Sequence, residues 1–218
     1  MTVFPESLVI KMKKRILAAL AASILLAAAV TSCSSSKLIK LTSESGNLID
    51  KANDITYINA PMCFEPISTE IDPYAECSEL KLQLYGIVGC DTSVWLSEKF
   101  EGIGSIYYAE GAVELPTLSE FEANEIIICI EQTITTGLGV VTDAADIEAI
   151  IAAFENGERT TIIPEGDVYK LKFSSDKYEG IYYNLVYIEA DGGENYIYDR
   201  STKTCSAVGD VMYDYLPR

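Results

Sequence analysis

The sequence predicts an α+β domain in which a mostly antiparallel sheet is accompanied by few helices. Segments with the length and apolar content of strands recur from residue 79 to the C-terminal region, whereas the clearest helical spacing of apolar residues occurs in one segment. Two C-terminal strands are separated by a glycine pair, which is typical of a hairpin turn. Many strands with short connections and few helices are characteristic of the α+β class.

Residues 55–73 are expected to form short extended pieces and turns, because three prolines interrupt any longer element. These prolines are Pro61, Pro66 and Pro73. In residues 79–85, leucines alternate with other side chains, a pattern that predicts a half-buried strand.

A short helix is predicted from residue 91 to Phe100, with Asp91 or Thr92 as its cap. Trp95, the one tryptophan of the chain, is expected in the core. Strands are predicted at residues 105–109 and 125–132. The second of these is apolar on both faces, which favours a central place in a sheet.

The strongest helix prediction covers residues 144–156. Thr142 or Asp143 can cap its first turn, and Asp146 lies near the positive end of the helix dipole. Gly157 is expected to end the helix. The apolar side chains at helical spacing are Ile147, Ile150, Ile151 and Phe154.

The C-terminal part is expected to add strands and a short terminal element. The strands are predicted at residues 168–173, 181–190, 195–198 and 204–208, and the terminal element at 211–216. Asp191-Gly192-Gly193-Glu194 joins the second and third of these strands. Its glycines can take the positive φ values of a tight turn, which predicts a C-terminal β-hairpin.

The predicted hairpin suggests a binding surface. With the two glycines as its turn residues, Ile188 lies opposite Ile197 and Tyr187 opposite Tyr198. The aromatic face then contains Tyr183, Leu185, Tyr187, Tyr196 and Tyr198. Either the predicted helix packs over this face, or the tyrosines form an exposed platform for a glycan or a partner protein. The candidate surface residues are Tyr183, Tyr187, Tyr196 and Tyr198.

The segment from residue 11 to residue 33 has a pattern of its own. Four basic residues between positions 11 and 15 precede an uncharged apolar run from 16 to 30, and the chain then reads Val30-Thr31-Ser32-Cys33. This order resembles the signal of bacterial lipoproteins. The resemblance implies that Val30, Thr31 and Ser32 belong to the lipobox. It also implies that Cys33 takes the lipid and becomes the N-terminus after cleavage.

Two other interpretations of this segment fit less well. A transmembrane helix needs roughly 20 apolar residues, and this run is shorter. In an ordinary cleaved secretory signal, Cys33 would have no role. Its position directly after two small residues favours the lipoprotein signal instead. Met12 is expected to be the true start, because basic residues follow it at once.

These features divide the chain into three predicted regions. Residues 1–32 form the signal segment, residues 33–53 hold the lipidated cysteine and a flexible tether, and residues 54–218 form one extracytoplasmic α+β domain. The tether is expected because the sequence before residue 54 is polar and has little periodicity. The lipid is expected to hold the protein on the extracytoplasmic side of a bacterial membrane.

The charge argues against a nucleic acid partner. The whole chain has a net charge of −17. Because the first 32 residues hold four basic residues and one acidic residue, the remainder has 12 Lys and Arg against 32 Asp and Glu, a net charge of −20. Such a surface repels phosphate backbones and anionic lipid. Membrane contact is therefore expected through the acyl chains alone.

Histidine is absent from the sequence, which removes the usual general base of Ser and Cys hydrolases and the commonest zinc ligand. The cysteines lack the paired spacing of zinc or redox motifs, and no glycine-rich phosphate loop precedes a helix. No cofactor or metal is therefore predicted. If any disulfide forms, Cys63, Cys77 and Cys90 are the first candidates.

Two functions from different classes follow. The favoured one is a non-enzymatic module that binds a partner or ligand, or contributes to the structure of the envelope. The alternative is a carboxylate-dependent glycan-processing enzyme, which needs only two acids at a suitable separation. Glu101 and Glu179 are the first pair to consider, since both lie in a Lys-aromatic-Glu-Gly-Ile sequence. The binding module is favoured because no convergent catalytic motif is present.

Overall fold

Seven strands form a closed barrel in the first half of the chain. They are β1 (Ile39–Glu44), β2 (Asn47–Asp50), β3 (Ile55–Asn59), β5 (Thr69–Cys77), β6 (Leu82–Ile87), β7 (Trp95–Glu98) and β8 (Ile106–Ala109). In the computed structural model, which describes residues 38–99, 104–131 and 135–216, their order around the barrel is β1-β2-β3-β8-β7-β6-β5. The parallel pairing of β1 with β5 closes the barrel, and the other neighbours pair antiparallel.

Side chains fill the barrel interior. Two tyrosines are buried there with their hydroxyls bonded: Tyr57 donates to the carbonyl of Thr92 over 2.9 Å, and Tyr107 donates to Glu98 over 3.0 Å. Each of these buried hydroxyl groups therefore has a hydrogen-bond acceptor. The interior residues are Leu41, Leu48, Tyr57, Ala75, Cys77, Leu84, Leu96, Tyr107 and Ala109.

Residues 33–53 are not a flexible tether throughout, because β1 and β2 lie within this range. Ser45 and Gly46 have φ values of 54° and 88°, which suit the two-residue turn that joins the strands. Leu41 and Leu48 are buried in the barrel. The tether prediction is wrong from the start of β1 onward. The reason is that two short strands with few apolar positions resemble a polar linker in sequence.

The predicted helix from residue 91 to Phe100 does not form in its described part, residues 91–99. Asp91 accepts hydrogen bonds from the amide and hydroxyl of Ser93, as a cap would, but the turn gives way to β7 at Trp95. Trp95 and Leu96 are both buried, and β7 pairs with β6 and β8. A short apolar run fits either a helix or a strand, and here the sheet pairing prevails. Trp95 is in the core, as predicted.

The predicted strand at residues 79–85 is also displaced. Lys81 has a positive φ of 55° in the turn before β6, and Leu80 is exposed. The alternation of leucines therefore belongs to a strand only from Leu82, while Leu84 is buried as expected.

The second half of the chain forms another sheet. Its strands are β9 (Glu125–Glu131), β10 (Thr135–Val141), β11 (Arg159–Thr160), β12 (Gly166–Ser174), β13 (Ile181–Ala190), β14 (Tyr196–Asp199) and β15 (Thr204–Ala207), in the order β10-β9-β12-β13-β14-β15-β11. A further strand, β4 (Phe64–Pro66), pairs with β13. The C-terminal hairpin of β13 and β14 is confirmed. The prediction of a sheet-rich fold with few helices is confirmed too, although the strands divide between two sheets.

Helix α1 (Ala144–Asn156) has the predicted bounds and cap. The Asp143 side chain accepts from the amides of Ala145 and Asp146, over 2.9 and 3.3 Å. Ile150 is fully buried in the core together with Ile147 and Phe154, whereas Ile151 is only half-buried. The helix covers the inner face of the second sheet. The side chains of this face include Leu171, Tyr183, Leu185 and Tyr187.

Gly157 ends α1 as predicted, but for another reason. Its backbone is extended, with φ −67°, so the left-handed conformation of many helix ends is absent at this position. A Cβ atom there would clash with the carbonyl oxygen of Ala207 on β15. Glycine is needed because the end of the helix lies directly against the sheet.

A chain of six aromatic rings connects the barrel with the second sheet. Successive ring centroids are 5.1 to 6.3 Å apart, which is the usual range for aromatic pairs. In order, the rings are Tyr108, Trp95, Phe64, Tyr183, Phe121 and Tyr178. Both sheets therefore contribute to one hydrophobic cluster at their junction, beside the separate cluster inside the barrel, and residues 38–218 form one compact unit.

Candidate binding groove

The four tyrosines of the predicted surface do not share a face. Tyr183 and Tyr187 are 7% and 1% exposed and lie in the core beneath α1. Tyr196 and Tyr198 lie on the outer face of the second sheet, opposite α1, and pack beside Val186 and Ile188. The prediction of one exposed aromatic platform is therefore wrong. Tyr183 and Tyr187 instead pack beneath the helix, which was the other arrangement considered from the sequence.

The error comes from the register of the hairpin. Ile188 pairs with Tyr196 and Tyr187 with Ile197, one residue away from the predicted pairing. The strands are joined by five residues, 191–195, rather than by a two-residue turn. Because side chains alternate between faces, a shift of one residue moves every side chain of β14 to the opposite face.

A groove lies where the barrel meets the second sheet, and we call it the junction groove. Its volume is about 360 Å³. One wall is the loop between β6 and β7, and the other is the turn between β12 and β13. The lining residues are Gly89, Cys90, Asp91 and Val94 from the loop with Trp95 at the start of β7, and Asp176, Lys177, Tyr178 and Glu179 from the turn with Ile181 at the start of β13.

The loop wall is held by hydrogen bonds to Asp91. Its side chain accepts from the amide and the hydroxyl of Ser93, each over 2.8 Å, and its carbonyl accepts from the amides of Val94 and Trp95. This tight turn brings Trp95 from the loop into the shared core, where it contacts Phe64 and Tyr108. The loop wall is therefore built on a buried tryptophan.

The turn wall is held against the loop by Gly180. Its φ is +84°, and a Cβ there would clash with the carbonyl oxygen of Val88 and lie 2.9 Å from Cys90 Sγ. The thiol of Cys90 donates to the carbonyl of Glu179 over 3.2 Å. Only glycine permits this approach of the two walls, since it lacks a Cβ and tolerates positive φ.

Aromatic stacking fixes the position of Tyr178 in the turn wall. Its ring lies 5.1 Å from the ring of Phe121, at an interplanar angle of 9°. Lys177 forms an ion pair with Glu122, and its ammonium also donates to the carbonyl of Glu120 over 3.3 Å. The groove thus has a fixed aromatic side chain beside a cation that is already paired with the Glu122 carboxylate.

The charges of the groove favour neutral or cationic ligands. Its side chains include three exposed carboxylates and one ammonium. Hydrogen bonds from Ser93 lower the pKa of Asp91 below its ordinary value, which keeps this carboxylate ionised. Burial, together with the charge of Glu179, raises the pKa of the Cys90 thiol to about 11, and Cys90 is therefore a poor nucleophile at neutral pH.

The carboxylate pair considered from the sequence lies only in part within the described residues. Glu179 lines the junction groove, whereas Glu101 lies outside the residues that the structure describes. Sequence reasoning missed the loop residues Cys90 and Val94 as parts of a site. The available signal was the Lys-aromatic-Glu-Gly-Ile sequence at 177–181, whose glycine fixes the turn wall.

A buried ion cluster lies outside this groove, on the outer face of the second sheet. Glu65 on β4 pairs with Lys170 and Lys172 on β12, at nitrogen–oxygen distances of 2.5 and 3.0 Å. Asn184 on β13 donates to Glu65 over 2.9 Å. These contacts attach the short strand β4 to the sheet, and we assign them a structural role.

Within residues 38–99, 104–131 and 135–216, no group of three or more His, Cys, Asp or Glu side chains could hold a metal ion. Cys63, Cys77 and Cys90 carry free thiols, so no disulfide joins the three candidates. In the same part of the chain, no helix is both long and apolar enough to span a bilayer.

The predicted lipobox residues Val30, Thr31 and Ser32, and the predicted lipid attachment residue Cys33, lie outside the described residues. Comparison of the chain with protein-family models, with curated proteins and with solved structures finds no match.

Proposed function

We propose that this protein is a lipid-anchored, non-enzymatic binding module on the extracytoplasmic side of a bacterial membrane, and that its junction groove holds the ligand. Residues 38–218 act in this proposal as one α+β domain. The groove carries the proposal, because it combines fixed aromatic side chains with carboxylates in a volume of about 360 Å³. Small-molecule sites in proteins occupy roughly 300 to 1,000 Å³.

The anchor rests on the order of residues in the leader. Basic residues, an apolar run and Val30-Thr31-Ser32-Cys33 follow one another as in lipoprotein signals. A lipid on Cys33 supplies membrane affinity that the acidic domain lacks, since its net charge of −20 gives no electrostatic attraction to anionic lipid.

The ligand that fits the junction groove best is a glycan. Sugar rings present C–H faces to aromatic side chains such as Tyr178, and their hydroxyls donate to carboxylates such as Asp91 and Glu179. Anionic ligands are disfavoured, because three carboxylates surround the groove and Lys177 is paired with Glu122.

Labelling with radioactive palmitate tests the anchor. The wild-type chain is expected to incorporate label and to partition into the detergent phase, whereas Cys33→Ser is expected to lose both properties because the acceptor thiol is gone. Cys90→Ser is the matched control and is expected to keep the label. Unlabelled wild-type protein would show that the leader is not a lipoprotein signal.

Intrinsic fluorescence tests the groove. Trp95 is the only tryptophan of the chain and lines the groove, so a ligand there is expected to change its emission. We expect chitotetraose to give a saturable change. Tyr178→Ala is expected to weaken binding about tenfold, or about 1.4 kcal/mol, if the sugar contact is as strong as the weaker stacking contacts between nucleobases and aromatic side chains, which are worth roughly 1 to 3 kcal/mol.

The control for this titration is Tyr196→Ala. Tyr196 is half-buried like Tyr178 but lies on the outer face of the second sheet, so its loss is expected to leave the Trp95 response unchanged. An equal weakening by both variants, or no emission change with any neutral oligosaccharide, would contradict the assignment of the groove. Thermal unfolding of each variant separates lost binding from lost folding.

A further inference from the structure

The connection between β11 and β12 crosses several strands of the second sheet. These two strands lie at different places in the order β12-β13-β14-β15-β11, yet only residues 161–165 join them. The crossing segment, which we call the strap, is fixed at both ends. Ile162 donates its amide to the hydroxyl of Thr160 over 3.1 Å, and the carbonyl of Glu165 accepts from the amide of Asp191 over 3.2 Å.

The strap carries two adjacent apolar side chains into solvent. Ile162 is 76% exposed and Ile163 is 53% exposed. Their exposure is unusual for a segment attached at both ends, because large aliphatic side chains are among the residues most often buried. Covering these two side chains by a partner would remove apolar surface from water and stabilise a complex.

An apolar row of the sheet continues from the strap. The strand register places Val168, Ile188, Tyr196 and Ala207 side by side across β12, β13, β14 and β15. Val168 at one end of this row is 53% exposed, whereas Ile188 is buried. Tyr196 and Ala207 at the other end line a groove of about 250 Å³ together with Ile162 and Pro164 of the strap. We call it the strap groove.

Carboxylates border the strap groove. Glu158 and Glu194 line it, and both are exposed. Glu165 and Asp167 are exposed where the strap meets β12. The nearby cation Arg159 lies over the ring of Phe154, at 4.6 Å from the centroid. The local charge is therefore negative around an apolar centre.

We propose that the strap groove docks a basic, apolar segment of a partner protein. An apolar side chain of the partner fills the space between Ile162, Pro164 and Tyr196, and Lys or Arg side chains beside it pair with Glu158 and Glu194. Charge complementarity selects this occupant. A second copy of the chain would set carboxylates against carboxylates, which costs affinity. This surface is separate from the junction groove and does not depend on the proposed function.

Fluorescence anisotropy with defined peptides tests this proposal, using residues 38–218, which form one compact unit. The probe is a labelled peptide of alternating Lys and Leu. Peptides of alternating Lys and Ser, and of alternating Glu and Leu, separate the contributions of charge and apolar surface. Of the three peptides, we expect only the Lys-Leu peptide to bind saturably. Its affinity is expected to fall as added salt screens the carboxylates.

Variants of the protein locate the site. Ile162→Ser is expected to lower affinity about tenfold, because the apolar contact is lost. Glu158→Gln combined with Glu194→Gln is expected to flatten the salt dependence. Ile71→Ser is the matched control: Ile71 is 90% exposed and is flanked by Glu70 and Asp72, but it lies outside the strap groove. Its substitution is expected to leave binding unchanged.

Three outcomes would overturn the proposal. Equal loss with Ile162→Ser and Ile71→Ser would mean that the peptide binds the acidic surface without a site. Equal binding of the Lys-Ser or the Glu-Leu peptide would mean that charge or apolar surface acts alone. Dimers in sedimentation equilibrium that dissociate with Ile162→Ser would assign the surface to a second copy. Pro164→Ser, which changes another lining residue of the strap groove, repeats the measurement if Ile162→Ser does not fold.

Discussion

At the residue scale, Gly180 determines how the two walls of the junction groove meet. Its positive φ turns the chain into β13, and the absence of a Cβ lets this turn approach Val88 and Cys90 of the neighbouring loop. The carbonyl of Gly180 also accepts the amide of Ile67 over 2.8 Å. One residue thus joins the barrel loop, the segment after β4 and the second sheet.

Gly180→Ala is expected to destabilise the protein by more than the free energy needed to hold an alanine at this positive φ. A non-glycine residue in the left-handed region costs roughly 1 to 2 kcal/mol, and the clash with the Val88 carbonyl adds to this cost. Gly193→Ala is the matched control, since its φ of +83° is nearly the same and no atom lies within 4 Å of its Cβ position. Denaturant unfolding measures both variants. Equal losses of stability would show that the contact with the loop is unimportant.

At the element scale, α1 shows which face of a helix provides its stability. The side chains at positions 147, 150, 151 and 154 have helical spacing, but the structure buries only three of them fully. Ile150 lies at the centre of the buried face, while Ile151 is at its border. Burial therefore follows the distance of a residue from the centre of the face, which periodicity gives only approximately.

Ile150→Ala is expected to lower the free energy of unfolding by about 2 to 5 kcal/mol, the usual cost of such a truncation in a core. Ile151→Ala serves as the control and is expected to cost clearly less, because part of this side chain already contacts water. The midpoints of chemical denaturation measure both effects. A larger loss at Ile151 would show that the helix presents a different face to the sheet in solution.

The elements that could be predicted from the sequence are those with local signals. Asp143 and the spacing of isoleucines define α1, and the ten-residue run Ile181–Ala190 defines β13. Non-local pairing determines the rest. Leu41 and Leu48 are strand residues only because a barrel surrounds them, and Trp95 lies in a strand because β6 and β8 lie on both sides.

The candidate sites were unpredictable for the same reason. The junction groove joins the loop around Cys90 with a turn around Tyr178, which lies 88 residues further along the chain. The prediction of the tyrosine surface was wrong because the register of the hairpin depends on the length of its loop. The glycines at 192 and 193 do not determine that length to within one residue. Of that predicted set, Tyr196 lines the strap groove, and this groove depends on the strap.

At the scale of the whole molecule, the barrel and the second sheet are expected to unfold as one unit. Phe64 lies between them: its ring centroid is 6.3 Å from Trp95 of the barrel and 5.3 Å from Tyr183 of the second sheet. The strand that carries Phe64 pairs with β13, although its neighbours along the chain belong to the barrel. A shared core of this kind makes the stability of each sheet depend on the other.

Phe64→Ala is expected to lower the stability of both sheets by the same amount, about 3 to 5 kcal/mol for a buried phenylalanine. Native-state hydrogen exchange can measure this at Leu48 in the barrel and Leu171 in the second sheet, since the slowest amides report global unfolding. Phe64→Leu is the control. It is expected to lose much less stability than Phe64→Ala, because leucine retains apolar volume at the junction. If the amide of Leu48 stays protected while that of Leu171 loses protection, the barrel unfolds independently. In that case the aromatic chain is only a contact between two separately stable parts, and the walls of the junction groove can separate without global unfolding.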